Sequence, residues 1–377
     1  MNVYKKRLDN LREYMKHNKV NMSVVTNPDH QFYLTGFKAL IYSRPIILVV
    51  GLKASHLVIP GLEEVHAKEE AVVDHLHVYF EDGRNTDEYT DYLKPLETIL
   101  SKNEGGKIGA DFASTPVALE RAVRNFGSDV TDVGAEIVRM RYIKENEEID
   151  KIREVSGWIN LAVGESLKAA RAGVTELEID DAGNSVLYRE VPKKHPEATL
   201  QLMGMSPSGP LRSVMPHVFS NSRQLKDGDV MIHTRQVSLN GYRTELERTV
   251  FIGEPTYEQK RAFQSMLDAQ NAAIEALKPG VKASEVDNAA RSVFRKDGYE
   301  KYAVHRAGHG IGISPHEEPY IRFDNNLVIE EGMVFTIEPG IYIPEIGGFR
   351  HSDTLVVTAE GYEFLTDYPR DLESMIL

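Results

Sequence analysis

The chain has 377 residues, which is long for one hydrophobic core and predicts two domains. A formal net charge of −13 argues against a nucleic-acid partner, and the absence of cysteine excludes disulfides, thiolate zinc sites and cysteine nucleophiles. The chain shows neither the apolar core of a signal peptide nor the roughly 20-residue apolar run of a membrane span. We therefore expect a cytoplasmic protein that does not enter a membrane.

The first third of the chain alternates helical and strand patterns. Leu8, Leu11, Tyr14 and Met15 are spaced as on one face of a helix, which predicts an amphipathic helix over 3–18. Further helices are predicted near 87–101 and 115–126. Short apolar runs predict strands at Ser23–Thr26, Ile46–Val50, His56–Ile59, His77–Phe80, Lys107–Ala110 and Val130–Val133. This alternation is typical of a small α/β domain, which we assign to residues 1–135.

Residues 136–377 follow a different pattern. The charged segment Ala135–Arg153 is predicted to be helical and to connect the two domains. Helices are then predicted at about 147–171, 176–190, 257–277 and 283–297, and long strands at 229–252 and 333–358. Separate blocks of helices and strands indicate an α+β domain, with helices layered on one curved antiparallel sheet.

Two groups of polar residues in this second domain are candidates for a functional site. His217 follows a loop rich in glycine, proline and serine, and a surface histidine would look the same. Glu245 and Glu247 are two residues apart on a predicted strand and therefore share one face. That face could equally be solvated.

Two further groups carry a stronger signal. His305, His309 and His316 lie close together among glycines, which is an unusual density of imidazoles. Glu338 interrupts the apolar run Phe335–Tyr342, and a carboxylate inside a strand needs a partner or a function.

The motifs GHGIGISPHEEPY, EEGMVFTIEPGIY and GGFRHSDTLVVT resemble the C-terminal signature of the M24 family, which includes prolidase, aminopeptidase P, methionine aminopeptidase and creatinase. YLTGF and the linker RMRYIKENEEIDKIR resemble its prolidase, aminopeptidase P and creatinase branch. The resemblance covers essentially the whole chain in order. It implies a pita-bread catalytic domain of α+β class, a smaller α/β creatinase-type N-terminal domain, and a homodimer.

The resemblance also implies where metal ligands would lie. Metal-dependent members hold two divalent ions with two aspartates, one histidine and two glutamates, and these positions correspond to Thr234, Glu245, His309, Glu338 and Ser352. Two of the five are hydroxyls in this chain, so a dinuclear centre is not expected. We expect no cofactor. The alternative is one divalent ion, Mn, Co or Zn, on Glu245, His309 and Glu338.

Creatinase works without metal, and Thr244–Thr249 is similar to its motif Thr-Ala-Leu-Glu-Arg-Thr. The resemblance implies that Glu247 and Glu338 grip a substrate guanidinium and that His217 is the catalytic histidine. Tyr42-Ser43-Arg44-Pro45 resembles the creatinase segment that binds the substrate carboxylate from the neighbouring subunit. We therefore expect Arg44 and Tyr42 to contact the substrate, and Arg322 is a second candidate for its carboxylate.

These residues lead to the hypothesis of a hydrolase that cleaves a C–N bond in a small zwitterionic or cationic nitrogen compound without metal. Glu245 would help to hold the substrate, and His309 and His316 would orient it or move protons. One alternative is a metal-dependent Xaa-Pro dipeptidase or aminopeptidase with an altered ligand set. Another is a non-catalytic binding protein with the same fold.

Overall fold

A computed structural model describes residues 2–81 and 89–377 of the chain. It divides into two compact units between Arg141 and Tyr142. The sequence analysis placed this boundary after residue 135. The difference arises because the helix Gly134–Met140 packs within the first unit, where the Tyr33 hydroxyl donates a hydrogen bond to the Met140 carbonyl at 2.9 Å.

The first unit alternates helices and strands. In chain order they are α1 Val3–His17, β1 Val20–Val25, α2 Pro28–Thr35, β2 Ile47–Gly51, β3 Ser55–Pro60, α3 Glu64–Glu70, β4 His75–Tyr79, α4 Leu93–Leu100, β5 Lys107–Ala110, α5 Val117–Arg124, β6 Val130–Asp132 and α6 Gly134–Met140.

Among the described residues these strands form one mixed sheet in the order β4-β3-β2-β1-β5-β6. The apolar strands predicted from sequence are present, and the helix predicted over 87–101 is observed at Leu93–Leu100, while positions 87 and 88 lie outside the described residues. Helix α2 was not predicted from the sequence. This helix begins with the side-chain oxygen of Asn27 accepting two backbone N–H groups and with Pro28 in the first turn, which is a strong local start signal.

Within the described residues, the second unit contains four long helices, one short helix and ten strands. In chain order the elements are α7 Asn146–Ala169, α8 Glu176–Lys194, β7 Leu200–Met205, α9 Gly209–Arg212, β8 Val230–Leu239, β9 Tyr242–Phe251, α10 Tyr257–Ala276, α11 Ala283–Asp297, β10 Gly308–Gly310, β11 Glu317–Ile321, β12 Val334–Ile337, β13 Gly340–Ile343, β14 Gly347–Arg350, β15 Asp353–Thr358 and β16 Gly361–Phe364.

The strands of the second unit are not arranged in the single curved sheet that was expected. In the part of the chain that the structure describes, the strands form three antiparallel groups, β7-β8-β9, β11-β10-β12-β15-β16 and β13-β14, where the sequence analysis expected one curved sheet. A bridge between Glu247 and Ser352 connects the first two groups. The apolar faces of α7, α8, α10 and α11 pack on these strands and form the main hydrophobic core of the unit.

Local sequence signals explain most element boundaries of this unit. Thr175 with Glu178, and Thr256 with Gln259, form capping boxes that start α8 and α10. The segment Ala135–Arg153 was expected to be one continuous helix, but α6 ends at Met140 and α7 begins at Asn146. The break arises because Glu145 is the N-cap residue of α7 and forms a capping box with Glu148. Throughout the described residues, no helix combines the length and the apolar composition of a bilayer span.

The hairpin β8–β9 positions the candidate site. Its turn is Asn240-Gly241, and both residues have positive φ, 48° and 89°, as a two-residue type I′ hairpin requires. The tight turn sets the register of the two strands. Thr234 therefore pairs with Glu247 and Gln236 with Glu245.

Candidate active site

A cavity of about 800 Å³ lies in the second unit beside the β8–β9 hairpin. Its base carries the carboxylates of Glu245, Glu247 and Glu338, all buried. Oxygens of these three side chains lie within 4.8 Å of one another. Like charges at this separation repel strongly in a buried site, so the base must contain compensating cations or protons.

Arg350, at the end of β14, supplies one such cation. Its guanidinium donates to both oxygens of Glu247, at 2.5 and 2.7 Å, and also to the hydroxyls of Thr234 and Tyr342, at 3.2 and 2.8 Å. Burial alone would lower the pKa of Arg350, but the carboxylate of Glu247 raises it well above its usual value. Arg350 therefore remains charged, and Glu247 is held in a bidentate ion pair.

This pairing corrects the predicted role of Glu247. The sequence analysis expected Glu247 to grip the guanidinium of a substrate, but both of its oxygens already bind a guanidinium of the protein. Arg350 belongs to the quoted motif GGFRHSD, yet the analysis gave it no role. The signal that could have identified it is its position two residues before Ser352, which places both on one face of an extended segment.

Glu245 is bound from both sides by uncharged groups. It accepts hydrogen bonds from the Gln236 amide at 2.6 Å and from the Ser352 hydroxyl at 2.9 Å. Burial opposes its ionisation, whereas the His309 ring in its protonated form, the Gln236 amide and the Ser352 hydroxyl favour it, and the net direction is a pKa of Glu245 below its usual value. Both of its oxygens accept a hydrogen bond, as those of an ionised carboxylate do.

His309 faces the two carboxylates that Arg350 does not bind. Its Nε2 lies 3.4 Å from Glu338 Oε1 and 3.9 Å from Glu245 Oε1, while Nδ1 is 2.8 Å from the carbonyl of Gly310. Burial lowers the pKa of His309, so its ring is neutral, and the Nδ1 contact requires the proton on Nδ1. The lone pair of Nε2 then points at two carboxylates, and within the described residues this buried atom has no hydrogen-bond partner.

Glu338 is the least compensated of the three acids. Burial, followed by the charges of Glu245 and Glu247, raises the pKa of Glu338 well above its usual value. If all three carboxylates were ionised, the single guanidinium of Arg350 would leave two negative charges at the base of the cavity. One divalent cation would balance them and so favour the ionised form of Glu338.

The donor set fits one divalent ion and does not fit two. Glu245, His309 and Glu338 present two carboxylates and an imidazole whose second nitrogen is fixed by a backbone carbonyl, the usual arrangement of a metal-ligating histidine. The other two ligand positions that the resemblance implies, Thr234 and Ser352, are hydroxyls bound to Arg350 and Glu245.

Three more histidines surround this base. The His316 ring packs against His309 with a centroid distance of 4.0 Å, and burial together with His309 lowers the pKa of His316 to about 4. His305 is hydrogen-bonded to the Tyr342 hydroxyl at 2.9 Å. His217 lines the cavity, and burial, then Arg350, lower its pKa.

The predicted site residues divide between the two units. Glu245, Glu247, Glu338, His217, His316 and Arg322 line the cavity, and His309 contacts two of its acids. Arg44 and Tyr42 belong to the first unit, where Arg44 pairs with Glu81 at 2.7 Å and Tyr42 is 88% exposed. Their predicted contact with a substrate across a dimer stays a prediction. The sequence analysis overlooked Arg306, which also lines the cavity.

Comparisons with known proteins agree with this architecture. The family model described as metallopeptidase family M24 matches residues 150–359, and the model of the creatinase/prolidase N-terminal domain matches residues 7–143. The Xaa-Pro dipeptidase of Pyrococcus furiosus is 31% identical over 369 residues, which cover 98% of this chain and 99% of that protein. A putative dipeptidase of Bacillus subtilis, YkvY, is 31% identical over 375 residues, or 97% of this chain and 99% of the relative.

Solved structures show the same similarity. The prolidase from Thermococcus sibiricus superposes with a TM-score of 0.88 at 27% identity, over 99% of both chains. The prolidase from Pyrococcus horikoshii OT3 gives 0.85 at 27% identity, over 97% of this chain and 99% of that one. Fold and site thus define a two-domain hydrolase that acts on C–N bonds. The chain belongs to the metallopeptidase family M24 and has the pita-bread fold.

Proposed function

We propose that this protein is a peptidase that cleaves small peptides of the Xaa-Pro type with the help of one divalent metal ion. The observation that carries the proposal is the arrangement of His309, whose hydrogen-bonded ring directs Nε2 between Glu338 and Glu245. The Pyrococcus furiosus relative, described as an Xaa-Pro dipeptidase, and the two solved prolidases support the substrate class.

This proposal replaces the metal-free hypothesis of the sequence analysis. That hypothesis needed Glu247 to be available to a cationic substrate, and Arg350 occupies Glu247. The curated relatives named above are described as dipeptidases, which favours the metal-dependent alternative.

Glu245, His309 and Glu338 would hold the ion, which when bound supplies Lewis-acid polarisation of a carbonyl and a more acidic water. Arg350 provides a fixed positive charge at Glu247, so the chain neutralises this part of the site without a second ion. Thr234 and Tyr342 fix the direction of that guanidinium.

The surrounding histidines would act on protons. The lowered pKa values of His217 and His316 make both rings neutral at pH 7, so each can donate a hydrogen bond to a carbonyl oxygen. His217 is the better candidate to accept a proton from a reacting group, because a pKa of about 4 makes His316 a weak base. The 800 Å³ cavity is large enough for a dipeptide.

The test is a metal titration of the purified full chain. Protein stripped with a chelator should lose hydrolysis of leucyl-proline and regain it with Mn²⁺, Co²⁺ or Zn²⁺, and elemental analysis should find about one ion per chain. Glu338→Gln should bind the ion at least about tenfold more weakly and lose activity, because it removes one charged ligand. Glu331→Gln, at an exposed acid of the neighbouring loop, is the matched control.

Two results would overturn the proposal. One is undiminished turnover by the stripped protein. The other is a stoichiometry of two tightly held ions per chain, since in this proposal the guanidinium of Arg350 occupies Glu247 in place of a second metal ion.

A further inference from the structure

One buried carboxylate outside the cavity has no part in the chemistry proposed above. Glu176 is the first residue of α8 and is completely inaccessible to solvent. Burying a carboxylate is unfavourable unless hydrogen bonds and cations replace the water that it loses. The groups that bind Glu176 therefore indicate what this acid does.

Within the described residues, the donors to the Glu176 carboxylate come from one stretch of chain, residues 208–221. Oε1 accepts the backbone N–H and the hydroxyl of Ser208, at 2.8 and 2.7 Å. Arg212 donates Nε to Oε1 at 3.0 Å and Nη2 to Oε2 at 2.8 Å. Oε2 also accepts the backbone N–H of Asn221 at 3.1 Å. A single carboxylate thus joins the two ends of this stretch.

His217 lies between these contacts, in a segment of residues 213–221 that contains no helix or strand and is here named the His217 loop. His217 and Phe219 line the cavity, but both are exposed, Phe219 to 74%. Packing of these side chains therefore contributes little to the conformation of the loop. Arg212 holds the loop directly, because Nη2 also donates to the Phe219 carbonyl at 2.7 Å.

A second acid of α8 binds the same loop. Asp180 lies one helical turn after Glu176 and accepts a hydrogen bond from the Ser206 hydroxyl at 2.7 Å. The hydroxyl of Ser220, in the His217 loop, is hydrogen-bonded to Asp180 and accepts the Ser206 backbone N–H at 2.7 Å. Two acids on one face of α8 thus fix the loop by hydrogen bonds where packing does not.

We propose that Glu176 is a positioning residue, which holds the His217 loop in the conformation that places the His217 ring at the cavity. Glu176 does not itself line the cavity, so it acts through the loop. The inference rests on the proposed function for the role of His217. It extends the machinery of that function to a helix outside the cavity.

The experiment combines Glu176→Gln with His217→Asn and measures hydrolysis of leucyl-proline by the metal-loaded full chain. Glu176→Gln keeps the shape of the side chain but turns one acceptor oxygen into a donor that faces other donors. It should lower kcat about 10- to 100-fold and change KM less than about threefold, because a displaced catalytic group loses its productive geometry. In the His217→Asn background, the same change should lower kcat by less than about twofold.

Two single variants complete the series. Arg212→Lys keeps a positive charge beside Glu176 but lacks the fork that reaches both this acid and the Phe219 carbonyl, so its loss of kcat should be intermediate. Asp181→Asn, at an exposed acid of the same helix, is the matched control and should keep the wild-type kcat. Glu176 contacts none of the proposed metal ligands, so metal content should be the same in every variant.

Equal losses of kcat from Glu176→Gln with and without His217 would overturn the inference, because the acid would then act on the fold as a whole. Urea unfolding curves show whether each variant is folded. If Glu176→Gln does not fold, Arg212→Lys taken through the same cycle with His217→Asn decides between the two outcomes.

Hydrogen exchange separates this inference from the proposed function. If the wild type does not hydrolyse leucyl-proline, the peptidase proposal fails, and amide exchange still tests Glu176. Exchange in the His217 loop at least about tenfold faster in Glu176→Gln than in wild type, with unchanged exchange in α10, would support the inference. Wild-type exchange of the loop in Glu176→Gln would contradict it.

Discussion

Strand β2 of the first unit and strand β8 of the second are both buried, but they bury different side chains. Ile47, Leu48, Val49 and Val50 are completely inaccessible and purely apolar. The whole length of β8 is also buried, yet it includes His233 through Gln236, four polar residues in a row. Burying polar groups is unfavourable unless they are paired, so their presence in β8 marks a strand whose surroundings supply partners or a function.

Two buried arginine pairs show which part of the second unit is functional. Arg248 binds Asp353 at 2.8 Å and donates its other N–H groups to backbone carbonyls, those of Glu247, Ser352, Tyr368 and Pro369. It does not line the cavity. Arg350 lines the cavity, and its acid, Glu247, is adjacent to Glu245 and Glu338, which form no ion pair with a lysine or arginine among the described residues. The Arg248–Asp353 pair, whose hydrogen bonds are all made within the protein, therefore indicates a structural role. The Arg350–Glu247 pair, which lies beside two further acids in a cavity, indicates a functional site.

The largest effect is expected from removing Arg350. Arg350→Met leaves Glu247 buried without its cation, and such changes cost about 3–5 kcal/mol of unfolding free energy. Urea denaturation measures this loss. Arg153→Met, at a surface pair with Glu363, should cost at most about 1 kcal/mol. If Arg350→Met lost no more unfolding free energy than Arg153→Met, the buried ion pair would contribute no more to stability than the surface pair, contrary to this prediction.

Strand β2 of the first unit has no buried charges, so its contribution to stability should depend on the volume of its apolar side chains. Leu48→Ala removes buried methylene groups and leaves a cavity, which costs about 3 kcal/mol. Leu40→Ala, at a position that is 67% exposed, should change stability by less than about 0.5 kcal/mol. Metal content should be the same in both variants. A change in metal content with Leu48→Ala would mean that the first unit controls the site.

A single hydroxyl in β8 tests whether its polar residues are individually needed. Thr234→Val keeps the shape of the side chain but removes the acceptor of an Arg350 hydrogen bond, and we expect a loss of about 1–2 kcal/mol. Thr234→Ser retains the hydroxyl and should lie closer to wild type in the same denaturation experiment. Wild-type stability of Thr234→Val would show that Glu247 and Tyr342 satisfy Arg350 without this hydroxyl.

The smallest effect concerns a histidine cluster on the sheet of the first unit. His56 Nδ1 lies 3.0 Å from His77 Nε2, and burial, then the charges of His77, His75 and Lys102, lower the pKa of His56 to about 4, against a small opposing effect of Asp74. The folded state therefore binds fewer protons than the unfolded state between that pKa and the usual value near 6.5.

Stability from His56 is fully present above about pH 6.5 and is lost as the pH falls towards about 4. Because the site is only half-buried, we expect about 1 kcal/mol after solvent screening. His56→Gln should lose less stability than wild type over this window, and His17→Gln, on an exposed helix end, should match wild type. Identical pH profiles for wild type and His56→Gln would contradict the assignment.

The sequence alone determined the elements and much of the site. Helices α10 and α11 were predicted within one residue of their observed ends, because hydrophobic periodicity and capping are properties of neighbouring residues. The acids and histidines of the cavity were identified because polar residues in apolar strands are conspicuous, and motif resemblance placed them in one family.

Only the tertiary structure decided which charges compensate which. The pairing of Arg350 with Glu247 joins residues 103 positions apart. The stacking of Arg306 on Tyr320 likewise depends on how the strands are arranged in space. A sequence pattern records the side chains that share a face of one element, but the energy of a buried charge depends on partners contributed by other elements.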